Sequence, residues 1–359
     1  MEKNPVKAAQ HYLSAAQQGH AEAQGRIAVC YAQGQGVLED AKESVRWAKM
    51  GAQQGDPRAM NSLAVSYENG EGGLTANMAE AVKYFRAAAE KGLAAAQYNM
   101  GNLYQSGNGV QKDDKEAIKW YKQAADQGHA SAQACLGECY CLGIGVPQNY
   151  AEAVKLLRLS CDQNNNMAQY RLGECYKSGN GVPQDTSEAV RLFTLSGNQG
   201  NMYAQVALAR LYETGNGVPQ SHAEAFKWYR LAANQGDAIA QINLAYLYET
   251  GQGVAQNYIE SNKLLEKAMA QGHPQAYCNM GRNYFSGRGV QKNNAVAFQL
   301  FKTAADKGFA EGYHMLGICY VEGVGTKKNR KEGIRLIREA LSRGDESAKE
   351  SLRKLGLKP

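Results

Sequence analysis

Long apolar runs are missing from this chain of 359 residues. None approaches the roughly 20 residues that a membrane-spanning helix requires. The opening stretch, MEKNPVKAAQHYL, has no apolar core followed by a small-residue cleavage site, so no signal peptide is expected. A cytoplasmic location is the expectation, with export or effector-type secretion as the alternative. Proline is scarce, at 7 residues against 39 glycines and 21 tyrosines, a balance that suits a regularly punctuated repeat. A broad surplus of one charge is also missing. The net charge is +6, yet residues 326–359 alone hold 11 Lys/Arg and 5 Asp/Glu, which leaves 29 of each sign elsewhere. That pattern lacks the body-wide basic face of a nucleic-acid binder and reads as a solubilising end to a neutral array.

Recognisable catalytic sets are equally absent. There is no His-Glu-x-x-His, and the Gly-x-Gly turns lack the Gly-Lys-Ser/Thr of a phosphate loop. A penicillin-recognising serine enzyme needs Ser-x-x-Lys with distant Ser-Asp-Asn and Lys-Thr-Gly elements. The chain has only Ser351 to Lys354, in a Lys-rich tail. No metal or cofactor site is expected.

What is present is a period. Tyr31, Tyr67, Tyr104, Tyr140, Tyr176, Tyr212, Tyr248, Tyr284 and Tyr320 recur every 36 residues, with one interval of 37. Each opens Tyr-x-x-Gly-x-Gly. Upstream, Ala and Leu/Met precede the Tyr at four-residue steps, as in Ala96, Met100 and Tyr104, which stacks them on one helical face. Small residues stand three before each Tyr (Gly101, Gly137, Ala209), where lack of bulk lets a neighbouring helix approach. Downstream, Asp40, Asn77, Asp113, Asn149, Asp185, Ser221, Asn257, Asn293 and Asn329 are expected N-caps. Eight of these nine precede a Glu by three residues, the capping box in which Glu reaches back to the cap N–H; Val296 is the exception. Each unit therefore reads as helix A, a glycine turn, and helix B.

The recurring Ala-x-x-x-Leu-Gly-x-x-Tyr, Gly-x-Gly-Val and Ala-x-x-Trp-Tyr-x-x-Ala-Ala-x-x-Gly patterns resemble Sel1-like repeats, relatives of tetratricopeptide repeats. The resemblance covers essentially the whole chain. It implies an all-α, right-handed α/α superhelix, a solenoid whose concave wall is formed by the A helices. The expected organisation is an N-terminal half repeat at 1–20, nine repeats over 21–344, and a basic capping helix and tail at 345–359. The resemblance also implies a non-enzymatic scaffold or adaptor that binds a protein or peptide along the groove. A glycan or envelope-polymer binder is an alternative. So, more remotely, is a β-lactam-binding enzyme of the family's cysteine-rich bacterial subgroup. A monomer is plausible on sequence grounds.

Steps of about 100° per residue separate two faces of helix A. Positions two, six and nine before the Tyr turn away from the core stripe, towards the concave surface in the implied fold. There the middle units offer Tyr98, Asn102, Glu138, Tyr170, Glu174, Tyr203, Arg210, Tyr246 and Arg282, with His314 at the six-before position of the last unit. Tyr and Arg are favoured at binding hot spots. The groove is expected to be acidic in its middle and basic after it.

Five of the 8 cysteines fall between Cys135 and Cys175. Cys30, Cys139, Cys175 and Cys319 share the position just before Tyr with Leu103, Leu211 and Leu247, which argues for small buried hydrophobes. The cysteine-rich subgroup joins helix B to the next helix A through Cys-x7-Cys. Here Cys161 is followed at that spacing by Gln169, so the ladder is missing. A cross-helix pair involving Cys135, Cys161 or Cys175 stays open at this point.

Overall fold

A 36-residue period leaves room for two short helices and two tight turns. The computed structural model, which describes residues 4–358, has that arrangement, with only helices as regular structure among the described residues. Residues 1–3 and 359, the outer ends of the expected half repeat and basic tail, lie outside the described residues. The chain divides into two compact units, Met1–Leu192 and Phe193–Pro359. The first holds α1 (Pro5–Gln17), α2 (Ala21–Gln33), α3 (Ala41–Gln53), α4 (Pro57–Asn69) and α5 (Met78–Glu90). It continues with α6 (Ala94–Ser106), α7 (Asp114–Asp126), α8 (Ala130–Leu142), α9 (Tyr150–Cys161), α10 (Asn166–Ser178) and the start of α11 (Thr186–Asn198). The second holds the rest of α11, then α12 (Met202–Thr214), α13 (His222–Asn234), α14 (Ala238–Thr250), α15 (Tyr258–Ala270) and α16 (Pro274–Ser286). It closes with α17 (Asn294–Asp306), α18 (Ala310–Glu322), α19 (Arg330–Ser342) and α20 (Ser347–Lys354). The even-numbered helices up to α18 are A helices and the odd-numbered ones are B helices. The fold is an all-helical solenoid.

Each A helix stops at a left-handed glycine, such as Gly107 at φ 76° or Gly143 at φ 72°, where a Cβ would be strained. The expected N-caps all form: each cap side chain accepts from the backbone N–H three residues on, as Asp113 does from Glu116 at 3.0 Å and Asn149 from Glu152 at 3.2 Å. The second half of the capping box does not form. In every turn the cap's own N–H donates instead to the carbonyl of the repeat Tyr, at 2.8–2.9 Å from Asp40–Tyr31 through Asn329–Tyr320. With that donor taken, the Glu turns outward and pairs with a cation three residues later. Glu43–Arg46, Glu116–Lys119, Glu188–Arg191 and Glu332–Arg335 are examples.

The second glycine of the turn packs against the start of the preceding B helix at Gly36, Gly72, Gly109, Gly145, Gly181, Gly253, Gly289 and Gly325. A Cβ built on Gly145 (φ 68°) would lie 2.5 Å from the Asp114 carbonyl oxygen; one on Gly325 would lie 2.1 Å from that of Asn294. These turns are thus inter-repeat contacts, and the glycines serve close approach. The small residue three before Tyr does the same inside a unit. A Cβ on Gly101 would meet the Tyr121 ring at 2.4 Å, and one on Gly281 the Phe301 ring at 2.6 Å. Tyr121, Phe85 and Leu157 are fully buried in the first unit, and Tyr229, Phe301 and Leu265 in the second. Fully burying a side chain such as Phe301 contributes about 1.5–3 kcal/mol.

The repeat tyrosines are only half-buried and are not core residues. Tyr104, Tyr176, Tyr248 and Tyr320 lean on the preceding B helix, whereas Tyr67 stacks on Tyr84 of the following one. Arg86 donates to the Tyr104 hydroxyl at 2.9 Å, Arg158 does so to Tyr176 at 2.9 Å, and Phe226 meets Tyr248 edge-on at 5.3 Å.

A buried amide ladder runs beside this core. Gln24, Gln97, Gln133, Gln205 and Gln241, seven before the Tyr, each donate to a carbonyl eight residues back, at the end of the preceding B helix. Each side-chain oxygen then accepts from the glutamine ending its own unit's B helix: Gln54, Gln127, Gln163, Gln235 and Gln271, at 2.7–3.0 Å. The last two units change both partners together. Tyr277 donates to the Met269 carbonyl at 2.9 Å, and the Lys307 ammonium sits 5.6 Å from its ring centre. Tyr313 is covered by the Arg343 guanidinium at 4.6 Å. A cation–π contact stands where the amide pair was.

Position six before Tyr departs from expectation. Ala134, Ile242, Cys278 and His314 are buried there. A helices of successive units touch, as α8 and α10 do, so this position meets a neighbour and does not face open space. His314, only 6% exposed, is covered by the terminal α20: its ring nitrogens meet Asp345 and Ser351 at 2.8 Å each. Ser351 therefore pins the cap helix to the last repeat.

Two stability outcomes follow from these contacts. Gly145→Ala adds crowding to an unfavourable φ and is expected to cost at least about 2 kcal/mol. Gly128→Ala, also at positive φ (82°) but with nothing within 4 Å of its Cβ, should cost about 1 kcal/mol. Urea unfolding of the two variants measures the difference. His314→Ala should loosen α20 by about 2 kcal/mol, roughly thirtyfold faster amide exchange over 347–354, while α12–α16 stay protected.

Candidate functional site

The nine expected groove residues fall into two groups. In the first unit, Tyr98, Asn102, Glu138, Tyr170 and Glu174 are half-buried and occupied with neighbours. Tyr98 stacks on His129 at 5.0 Å between ring centres. The Tyr121 hydroxyl donates to Asn102 Oδ1 at 2.7 Å and to Gln105 Oε1 at 3.0 Å. Burial pushes the Tyr121 hydroxyl well above the usual phenol range, so it stays a donor. Glu138 on α8 is ion-paired with Arg171 on α10, and the same guanidinium lies 5.3 Å from the Tyr170 ring centre. Glu174 pairs with Lys177 one turn on, at 2.8 Å.

The charges expected to make the middle of the groove acidic are therefore compensated in place. Glu138 and Glu174 meet cations supplied by the next A helix or the next turn. Arg282 is likewise ion-paired with Glu311. Such half-exposed pairs hold geometry and leave little net field for a partner.

In the second unit the same positions stand out from the helices. Tyr203 is 54% exposed and Tyr246 47%, and Arg210 and Arg282 are exposed too. Beside Arg210, the buried Tyr229 donates to Glu213 at 2.7 Å. Tyr246 and Arg282 line one shallow depression of about 360 Å³, together with Glu249, Thr250, Tyr258, Asn279 and Arg288. Arg288 pairs with Glu249 at 2.6 Å along its wall. An aromatic face flanked by guanidinium and amide groups can stack on a planar or apolar side chain and hydrogen-bond a peptide backbone. Position and residue type pointed to Tyr246 and Arg282. Nothing local pointed to Tyr258, Asn279 and Arg288, which come from the start of α15, the middle of α16 and the turn after it.

The remaining chemistry is quiet. Among the described residues, no group of three or more His, Cys, Asp or Glu could hold a metal ion. Asp345, His314 and Ser351 make a hydrogen-bonded line, but Ser351 lies inside α20, where backbone N–H groups are spent on the helix. All eight cysteines are free thiols. Burial pushes Cys139, Cys161 and Cys278 up to about 12, and Cys135 and Cys319 up to about 11. Among the described residues no helix is long and apolar enough to cross a membrane.

Comparison with known proteins accounts for the repetition. The family model described as Sel1 repeat matches residues 1–20, 21–56, 57–93, 94–129, 130–165, 166–201, 203–237, 238–273, 274–309 and 310–345. No curated protein sequence matches the chain. Among solved structures, a protective antigen of uropathogenic Escherichia coli with an SLR fold is 30% identical. That alignment covers 98% of this chain and 75% of the antigen, with a TM-score of 0.79. A Sel1 repeat protein from Oxalobacter formigenes is 31% identical over 86% of this chain and 90% of its own length, with a TM-score of 0.59. Ten matched repeats and a shared helical solenoid make this chain a member of the Sel1 repeat family.

Proposed function

We propose that this protein is a non-enzymatic interaction scaffold. It would bind an extended peptide or a partner helix on its A-helix face, centred on Tyr203, Arg210, Tyr246 and Arg282. Sel1 repeat proteins are mostly non-catalytic scaffolds for protein interactions, which supports the reading. The observation that carries the reading is the exposure of large Tyr and Arg side chains at A-helix positions that stacking does not need. Two of them share a depression with further hydrogen-bonding groups. Tyr98, Asn102, Glu138, Tyr170 and Glu174 take a supporting part: Glu138 ties α8 to α10 through Arg171, and the others are engaged within or beside their own repeat. Residues 21–344 read as nine repeats, preceded by a half repeat at 1–20 and closed by a cap at 345–359.

A displayed peptide library selected against the protein tests this. Tyr246→Ala and Arg210→Glu should each weaken a selected peptide by about 2 kcal/mol, roughly thirtyfold, with unchanged unfolding midpoints. Glu138→Gln should change binding less than threefold. Peptides that bind all variants equally, or a protein that takes up peptidoglycan or chitin fragments and no peptide, would overturn the reading.

A further inference from the structure

Cys141, at the end of α8, and Cys175, in α10, belong to different repeats, yet their sulfurs lie 3.8 Å apart. The geometry points to a reversible oxidation site: a hydroperoxide converts these two thiols to a disulfide that staples the A helices of two successive repeats. This site is independent of what the scaffold binds. It also differs from a Cys-x7-Cys ladder, because it joins helix A to helix A across 34 residues.

Three features of the site fit that chemistry. The sulfurs need to close by roughly 2 Å to reach bonding distance, a movement within the reach of side-chain rotation on two helices already in contact. The environment also assigns the roles. The hydrogen bond between the two thiols, with Arg171 nearby, holds the Cys141 thiol below its ordinary range, while the same bond and burial raise Cys175. Cys141 is half-buried and thus reachable by a small oxidant, whereas Cys175 is buried. Finally, Cys135 and Cys139, raised by burial, keep their protons at neutral pH and do not compete.

The reaction balances without a cofactor. The Cys141 thiolate attacks one peroxide oxygen, the O–O bond breaks, and a sulfenic acid forms with release of hydroxide or alkoxide. The Cys175 sulfur loses its proton and attacks the sulfenic sulfur, and the S–O bond breaks as water leaves. The two thiols lose two electrons to the peroxide. A dithiol reductant reverses the bond by exchange. The staple would run beside the Glu138–Arg171 ion pair, which bridges the same two helices, and would fix their spacing.

Folded protein treated with hydrogen peroxide, alkylated and digested with trypsin without reduction tests the proposal. The expected product links peptide 123–155 to peptide 172–177, whose single cysteine is Cys175, and dithiothreitol releases it. Cys141→Ser should abolish the link, whereas Cys135→Ser and Cys139→Ser retain it. Oxidation should raise the unfolding midpoint of the wild type and leave that of Cys141→Ser unchanged. Oxidised, folded wild type without the linked peptides, or a link that persists in Cys141→Ser, would overturn the proposal.

Discussion

One hydrogen bond sets the geometry of every repeat: the N–H of the residue capping helix B donates to the carbonyl of the tyrosine in helix A, at 2.8–2.9 Å in all nine turns. It closes the loop between the helices and fixes where helix B starts. It also takes the donor that a capping-box Glu would otherwise satisfy. The two turn glycines follow from it. The first leaves the helix in a left-handed conformation. The second must pass the carbonyl of the preceding B helix so closely that no side chain fits. Turn closure and repeat stacking are thus one constraint.

With the turns fixed, the amide ladder joins the other ends of the helices. Gln24, Gln97, Gln133, Gln205 and Gln241 each span the carbonyl end of one B helix and the terminal glutamine of the next, so a buried polar group is satisfied on both sides. Tyr277 with Lys307 and Tyr313 with Arg343 preserve this link with different chemistry. The helices are then held at both ends and along the glycine or alanine contacts between them. What remains unconstrained is a narrow strip of each A helix, where residue identity is free to serve binding.

Much of this was legible in the sequence, because much of it is local. The tyrosine period, the glycine turns and the nine cap side chains all depend on residues within a dozen positions of one another. The departures came from contacts between repeats. The capping Glu residues looked outward because a carbonyl nine or ten residues back had already met the cap N–H. Position six before Tyr was buried by the next A helix. The charge of Glu138 is compensated by Arg171, 33 residues on. The partnership of Gln133 with Gln163 and the meeting of Cys141 with Cys175 were likewise invisible to a reading within one unit. At the candidate site, Tyr246 and Arg282 were legible from position and type, but the groups completing their depression were not.

We therefore propose that a partner meets the exposed A-helix face of the second unit around Tyr246, whereas the corresponding first-unit positions are engaged in contacts within and between repeats. Site-specific photo-crosslinking tests this most directly, with a benzophenone amino acid replacing Tyr246 on α14 or, separately, the exposed Leu231 on α13. The account predicts that a bound peptide crosslinks at position 246 and not at position 231. Crosslinking at 231 with none at 246 would contradict it.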